Sequence, residues 1–363
     1  MLADVVMPVK NGELYIEAAI EGLQRQSERD WRVFVIDHQS TDQTVSIIER
    51  LAKTDTRIAL VDGSAAHSLS AVRNLGLKLC EAPLILLHDA DDVSKPDRIV
   101  TSLRGFDAHP DAVAIGGQSD VIDATGRHIG RRRRHVDKAQ LSAASLFCNP
   151  ISQPTVAFRK DALDRHGVSY GVNFLDARPG GDEEIVPTLV EDYLLFGQLA
   201  MTGGVVNLPS TLIDYRLHNS NISNVNKDNQ LSASLFVSRF LVRALSKLKD
   251  KPYADPALLC NHCGQLFDVS RQGGWRSLYD TLANLVRSAF GLSESVEREL
   301  AYRYTIATRN AATMALRYVS FRMKHSPEMD EDVALREWFL GPLRGRPHTE
   351  APRDDHHYEA YVS

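Results

Sequence analysis

Leu86-Leu87-His88-Asp89-Ala90-Asp91-Asp92 sets the end of an apolar run against three carboxylates within four residues. The run leading in, Pro83 to Leu87, is short and wholly apolar, as a strand buried on both faces is. Three similar runs precede it, Asp4–Val9, Trp31–Asp37 and Ile58–Asp62. Between them, Gly12–Gln26, Thr41–Lys53 and Leu69–Cys80 carry apolar residues three and four apart. Ala18, Ala19, Gly22 and Leu23 stand against Glu13, Glu17 and Glu21, the pattern of an amphipathic helix. Strand then helix, repeated every 30 residues or so, predicts an α/β fold, a parallel sheet clad by helices on both faces. Ligands of such sheets bind beyond the carboxyl ends of the strands. Here those ends read Pro8-Val9-Lys10-Asn11, Asp37-His38-Gln39-Ser40 and the acidic stretch. Polar residues collect where a ligand would sit.

Outward from this core the texture changes. Thr155–Arg159 reads as a strand, Pro187–Met201 as a helix, and Val205–Leu208 and Leu212–Arg216 as two short strands. Beyond Asn224 come helical periods at Leu231–Leu248, Trp275–Phe290, Val296–Ala307 and Asn310–Lys324. The expected division is an α/β domain over 1–224, a helical domain over 225–345 and a flexible polar tail over 346–363.

The composition, 43% hydrophobic and 25% charged in 363 residues, is that of a globular protein and excludes disordered, collagen-like and coiled-coil chains. A net charge of −5 gives no general basic field for nucleic acid. Four scattered cysteines make no disulfide framework, and no run reaches a membrane span. No basic region followed by an apolar stretch opens the chain, so a cytoplasmic enzyme is expected.

Three clustered carboxylates repel one another unless a cation neutralises them. Hard oxygen ligands at a strand end suit Mg²⁺ or Mn²⁺, which share coordination with substrate phosphates and water. An Asp-rich turn before a helix near Lys95-Pro96 is the plain alternative, and the cluster alone does not decide between them.

Its company does. Gln24-Arg25-Gln26-Ser27, Val35-Ile36-Asp37-His38, Ser70-Ala71-Val72-Arg73-Asn74 and Asp89-Ala90-Asp91-Asp92 follow in order. Downstream stand Asn149-Pro150, Gln153-Pro154-Thr155, Glu191-Asp192-Tyr193 and Tyr215-Arg216-Leu217-His218-Asn219. The series resembles the family 2 glycosyltransferases, inverting enzymes of the GT-A fold that use nucleotide-diphosphate sugars. The resemblance runs over Asp4–Asn224 and leaves the helical region unmatched. It implies that Pro8, Val9, Asp37 and His38 border the nucleoside, with Arg73 and Asn74 near the acidic cluster. It implies that Asp89 and Asp91 form the Asp-x-Asp pair toward ribose and divalent metal, with Asp92 adjacent and His218 near the diphosphate or metal. Asp192 would be the catalytic base, leaving Glu191 to support the loop or bind acceptor. Further implications are a nucleotide-diphosphate sugar donor, a glycan or lipid-linked acceptor, and work on surface polysaccharide at the inner face of the cytoplasmic membrane.

Three positions depart from the family pattern: His38 and Gln39 stand where a second Asp and a Gly are usual, and Gln153 replaces a His. A neutral His38 still accepts a hydrogen bond from a base. Arg131–Arg134 is read as a basic loop, solvated or in contact with anionic lipid or a lipid-diphosphate acceptor. Cys260-Asn261-His262-Cys263 has half a zinc site's spacing without a second half, so ordinary thiols on a helical turn are expected. Phe236, Phe240, Tyr302 and Tyr304 suit a core or a homo-oligomer contact. Two other classes remain in competition. A dinucleotide-dependent oxidoreductase lacks its Gly-x-Gly-x-x-Gly turn at Met7–Gly12. A non-catalytic nucleotide-sugar-binding subunit has no need of Asp89, Asp91 and Asp192 together.

Overall fold

The computed structural model describes residues 1–175, 189–218, 227–260, 274–308 and 311–325. Alternation along β1 (Ala3–Val9) shows how the sheet is clad, because successive strand side chains face opposite ways. Ala3, Val5, Met7 and Val9 join a cluster with α1 (Ile16–Gln24), α2 (Thr44–Ala52) and α4 (Arg98–Ala108). Val6 turns to the other face, against α3 (Leu69–Leu79), α6 (Lys160–Arg165) and α7 (Glu191–Met201). Gly76 lets α3 lie close: a Cβ there would stand 2.3 Å from Val6 Cγ1.

The strand order is β3-β2-β1-β4-β8-β6-β9-β5, with β7 paired to β6. β2 (Trp31–Asp37), β3 (Ile58–Asp62) and β4 (Leu84–Leu87) run parallel with β1, as the strand–helix repeat predicts. Beyond β4 the sheet is mixed. β8 (Ala157–Arg159) pairs antiparallel with β4 and β6 (Ala114–Ile122), and β6 pairs parallel with β9 (Val205–Arg216). β5 (Val93–Ser94) runs antiparallel along β9, and β7 (His128–Arg132) antiparallel along β6.

β9 is one strand where the sequence reads as two. Pro209 interrupts the apolar run, but its register is irregular there, and the pairing steps from Asn207 to Thr211. A proline without a donor is accommodated at such a break.

Among the described residues the C-terminal helices are α8 (Lys227–Lys249), α9 (Trp275–Phe290), α10 (Glu294–Ile306) and α11 (Ala311–Lys324). Ser293 opens α10, its Oγ accepting from the Val296 N–H at 3.2 Å. Leu241, Leu245, Leu282, Val286 and Leu300 share one core with Leu146, Phe147, Tyr193 and Leu194, so this bundle packs onto α7 and the segment after α5 (Lys138–Ala144). Arg303 and Glu299, both wholly buried on α10, pair at 2.7 Å, and Gln140 of α5 donates to the same carboxylate at 3.4 Å. The expected boundary at 224/225 and the tail 346–363 lie outside the described residues. Among the described residues no helix is long and apolar enough to cross a membrane.

Candidate active site

β4 delivers the acidic stretch, and the β5–β9 pairing decides what it meets. Val93 pairs with Asp214 and Ser94 with Ile213, so the residues just before β5 face those ending β9. The Arg216 N–H donates to Asp92 Oδ1 at 2.8 Å, and its guanidinium Nε to the Asp91 carbonyl at 2.8 Å. His218 Nε2 stands 2.9 Å from Asp91 Oδ2. The His218 ring also lies 4.9 Å from that of Tyr15, centroid to centroid, and Arg216 lies over the same tyrosine. Residues 127 positions apart are thereby fixed against each other.

The three aspartates occupy three environments. Asp92 is buried and anchors the end of β9; burial, with Asp91 and Asp89 nearby, pushes its carboxyl well above the usual range. Asp89 is raised to about 6, by burial first, with Arg73 opposing and Asp91 and Asp192 adding to it. Asp91, partly exposed, is the one paired with an imidazole. Beneath them the buried Arg98 guanidinium donates to the Leu87 carbonyl at 2.6 Å, and burial draws it down to about 9. His88 is held at about 3 by burial and by Arg98, so it is neutral and donates from Nδ1 to the Asp89 carbonyl at 2.7 Å.

A second group closes the site from α3 and α7. Arg73 Nη1 donates to Glu191 Oε1 at 2.5 Å. With its amide oxygen turned toward Arg73, Gln153 accepts from Nη2 at 2.5 Å and Nε at 3.0 Å, and the Tyr170 ring lies under the guanidinium at 5.4 Å. Burial alone would lower the Arg73 pKa, but Tyr170, Asp89, Glu191 and Asp192 around it carry it upward. Asp192, beside Glu191 at the start of α7, accepts from Asn149 Nδ2 at 2.8 Å and from the Tyr193 N–H at 2.8 Å. Burial raises its carboxyl pKa against the pull of Arg73 and these bonds. Asp89, Asp91, Asp92, Arg73, Glu191, Asp192 and His218 therefore belong to one electrostatic neighbourhood.

The residues expected to border a nucleoside lie at the carboxyl ends of β1 and β2. Pro8 pairs with Ile36 and Val9 with Asp37. The Asp37 carboxylate accepts the Ser40 N–H at 3.2 and 3.3 Å, which holds the turn. Gln39 in that turn has φ +62°, the left-handed conformation that favours glycine, and its amide donates to the Ser64 carbonyl at 3.0 Å. His38 donates from Nε2 to the Ala66 carbonyl at 3.0 Å, which leaves Nδ1 for another partner. Asn74 is engaged by the Tyr170 backbone: its amide donates to the carbonyl at 2.9 Å and accepts from the N–H at 2.8 Å.

The basic run is not a loop throughout, because Arg131 and Arg132 end β7. Arg131 pairs with Asp120 at 3.3 Å, and Arg132 lies 4.6 Å over the Tyr215 ring. Cys260 is a buried thiol, while His262 and Cys263 lie outside the described residues. Sequence reasoning assigned no role to Asn149, Tyr15, Tyr170 or Arg98. Asn149 and Gln153 did stand inside quoted motifs, which was the available signal.

A doubly clad sheet whose strand ends gather a carboxylate cluster, a buried arginine and a second pair of acids is the GT-A frame of a glycosyltransferase. Residues 4–167 match the family described as glycosyl transferase family 2. It is 25% identical over 246 residues to an uncharacterised glycosyltransferase of Haemophilus influenzae, covering 66% of this chain and 72% of that one. TuaG of Bacillus subtilis, a glycosyltransferase named for teichuronic acid biosynthesis, is 29% identical over 102 residues, 28% of this chain and 40% of its own. TarS 1–349 of S. aureus superposes at 15% identity and a TM-score of 0.48, covering 95% of this chain and 92% of that one.

Proposed function

We propose that the chain is an inverting glycosyltransferase that moves a sugar from a nucleotide-diphosphate sugar to a hydroxyl of a glycan or lipid-linked acceptor in surface polysaccharide synthesis. The observation that carries the reading is the seating of Asp192: a carboxylate oriented by Asn149 and by the Tyr193 N–H, in the same neighbourhood as Asp89. Inversion needs one displacement and one base for the acceptor's proton. Asp192 takes that proton, and its raised pKa makes it a stronger base than an ordinary surface carboxylate. Glu191, bonded to Arg73, positions the start of α7 instead. Asp37, His38, Pro8 and Val9 would border the nucleoside, His38 offering Nδ1 to the base. The name of TuaG supports an envelope-polysaccharide acceptor.

The residues fit a divalent cation. Among the described residues no group of three His, Cys, Asp or Glu side chains stands ready to hold one. Asp91 and His218 nonetheless converge, a carboxylate that suits Mn²⁺ or Mg²⁺ and an imidazole that favours Mn²⁺ of the two, when diphosphate oxygens and water complete the shell. Asp91 and His218 would hold the ion, with Asp89 behind them. When bound it supplies positive charge to the departing diphosphate.

The test is consumption of a panel of nucleotide sugars by the purified chain, with Mn²⁺ and with EDTA. Consumption of one donor that EDTA abolishes supports the reading. Donor binding with no consumption of any donor would make the chain a binder, and EDTA-resistant transfer would remove the metal.

A further inference from the structure

We propose that the outer face of α11 is a membrane-contact surface that lies in the plane of an anionic bilayer. α11 is apolar on two opposite sides, and among the described residues folding accounts for one. Met314 and Phe321 are buried against Tyr302 and Ile306 of α10. On the other side Leu316, Val319 and Met323 are 75%, 57% and 83% exposed. Their spacing of three and four puts them on one stripe, roughly opposite the buried residues. A single exposed apolar side chain is ordinary, but three aligned over two turns form a patch that awaits a partner.

Charge identifies the partner. Residues 311–325 contain Arg317, Arg322 and Lys324 and no Asp or Glu, within a chain whose net charge is −5. Arg322 lies to one side of the stripe and Arg317 and Lys324 to the other, roughly 90–130° around the helix. That is the cross-section of an interfacial helix, with apolar side chains entering the acyl boundary and Arg322 and Lys324 reaching back to headgroup phosphates from its two flanks. Arg317 also seats the helix. It donates to the Tyr304 carbonyl at 2.8 Å and that of Ala307 at 3.2 Å, and lies over the Tyr304 and Trp275 rings. Fourteen residues are too few to span a bilayer, so the helix lies on it. The basic run at Arg131–Arg134 is a weaker candidate for this contact, because Arg131 is paired with Asp120 and Arg132 lies over Tyr215.

The experiment is co-sedimentation of the full chain with vesicles of phosphatidylcholine alone and of phosphatidylcholine with phosphatidylglycerol. Wild type should bind the anionic vesicles at low salt and release as salt rises. Leu316→Ser/Val319→Ser/Met323→Ser and Arg322→Glu/Lys324→Glu should each weaken binding by about tenfold or more. Their melting temperatures and donor consumption should stay close to wild type, since Leu316, Val319, Met323 and Lys324 are exposed and Arg322 is half-buried with a single long bond to the neighbouring His325 carbonyl at 3.4 Å. Absence of wild-type binding at low salt overturns the proposal, as does equal binding by both variants. A wild-type dimer that the serine variant converts to monomer, read by light scattering, also overturns it, because a second copy would then cover the face. Vesicle binding involves neither donor nor acceptor, so its outcome is separate from that of the transfer assay.

Discussion

Asp192→Asn and Glu191→Gln change adjacent carboxylates at the start of one helix, and the structure separates their effects. Asp192 accepts two hydrogen bonds of 2.8 Å, from Asn149 and from the Tyr193 N–H. Asparagine keeps one acceptor oxygen and turns an NH₂ toward the other donor, which costs about 1–3 kcal/mol if nothing moves. Against that, burial already disfavours the charged form, so a neutral replacement recovers part of the loss. Stability should therefore change little. The rate should not be spared, because an amide takes no proton. Loss of a general base lowers transfer by about 10²–10⁴, or roughly 3–5 kcal/mol of barrier. Glu191→Gln is the reverse case. It removes the carboxylate charge opposite the buried Arg73, and breaking one side of a buried pair costs about 3–5 kcal/mol. Gln153 still accepts from the guanidinium, and glutamine retains an acceptor, so the lower end of that range is expected. For a large domain about 3 kcal/mol lowers the melting temperature by several degrees. Single-turnover transfer at saturating donor, beside calorimetric melting and donor affinity, resolves the two. Asp192→Asn should lose rate at nearly constant melting temperature, and Glu191→Gln should lose melting temperature and less rate. Near wild-type transfer by Asp192→Asn with donor binding intact would place the base elsewhere.

The other expectations are narrower. Asn149→Ala removes a bond that favours ionised Asp192, so its pKa, already raised by burial, should rise further. Because the base works ionised and activity falls as pH drops through its pKa, the acid limb of the kcat profile should move to higher pH, by about one unit at most. An unmoved limb would contradict the pairing. Gln39→Gly relieves a left-handed residue costing about 1–2 kcal/mol, offset by an exposed hydrogen bond and by chain entropy, so a gain of up to about 1 kcal/mol in denaturant midpoint analysis is expected. A clear loss of stability would show that the amide matters more than the strain. His38→Asp should alter the ranking of uridine and guanosine diphosphates in thermal-shift titration, whereas an identical ranking would put His38 outside the base pocket.

How much of this could be read from the chain follows from where each signal is stored. β1 to β4 and the helices between them were legible to within a few residues, since strand and helix periods are local properties of Asp4–Val9 or Leu69–Cys80. β6 and β7 were not. Ala114–Ile122 holds Gly116, Gly117, Gln118 and Ser119, which break the apolar pattern, yet it forms a strand because β8 and β9 flank it. At the candidate site residue types were legible and partners were not. Arg73 and Glu191 are 118 positions apart, and nothing near either one marks the other. The acidic cluster makes the same point within four residues. In sequence Asp89, Asp91 and Asp92 are three equivalent carboxylates. In the fold one is buried under the influence of Arg73, one meets His218, and one is fixed to the Arg216 backbone. The difference comes from the two-residue strand Val93–Ser94, which pairs with β9 and so fixes which aspartate faces which partner. A pairing that short has no period to detect. Which of the clustered aspartates is buried, which meets the imidazole and which anchors β9 is therefore a property of tertiary register, and substitutions in β5 or at the end of β9 should perturb all three together.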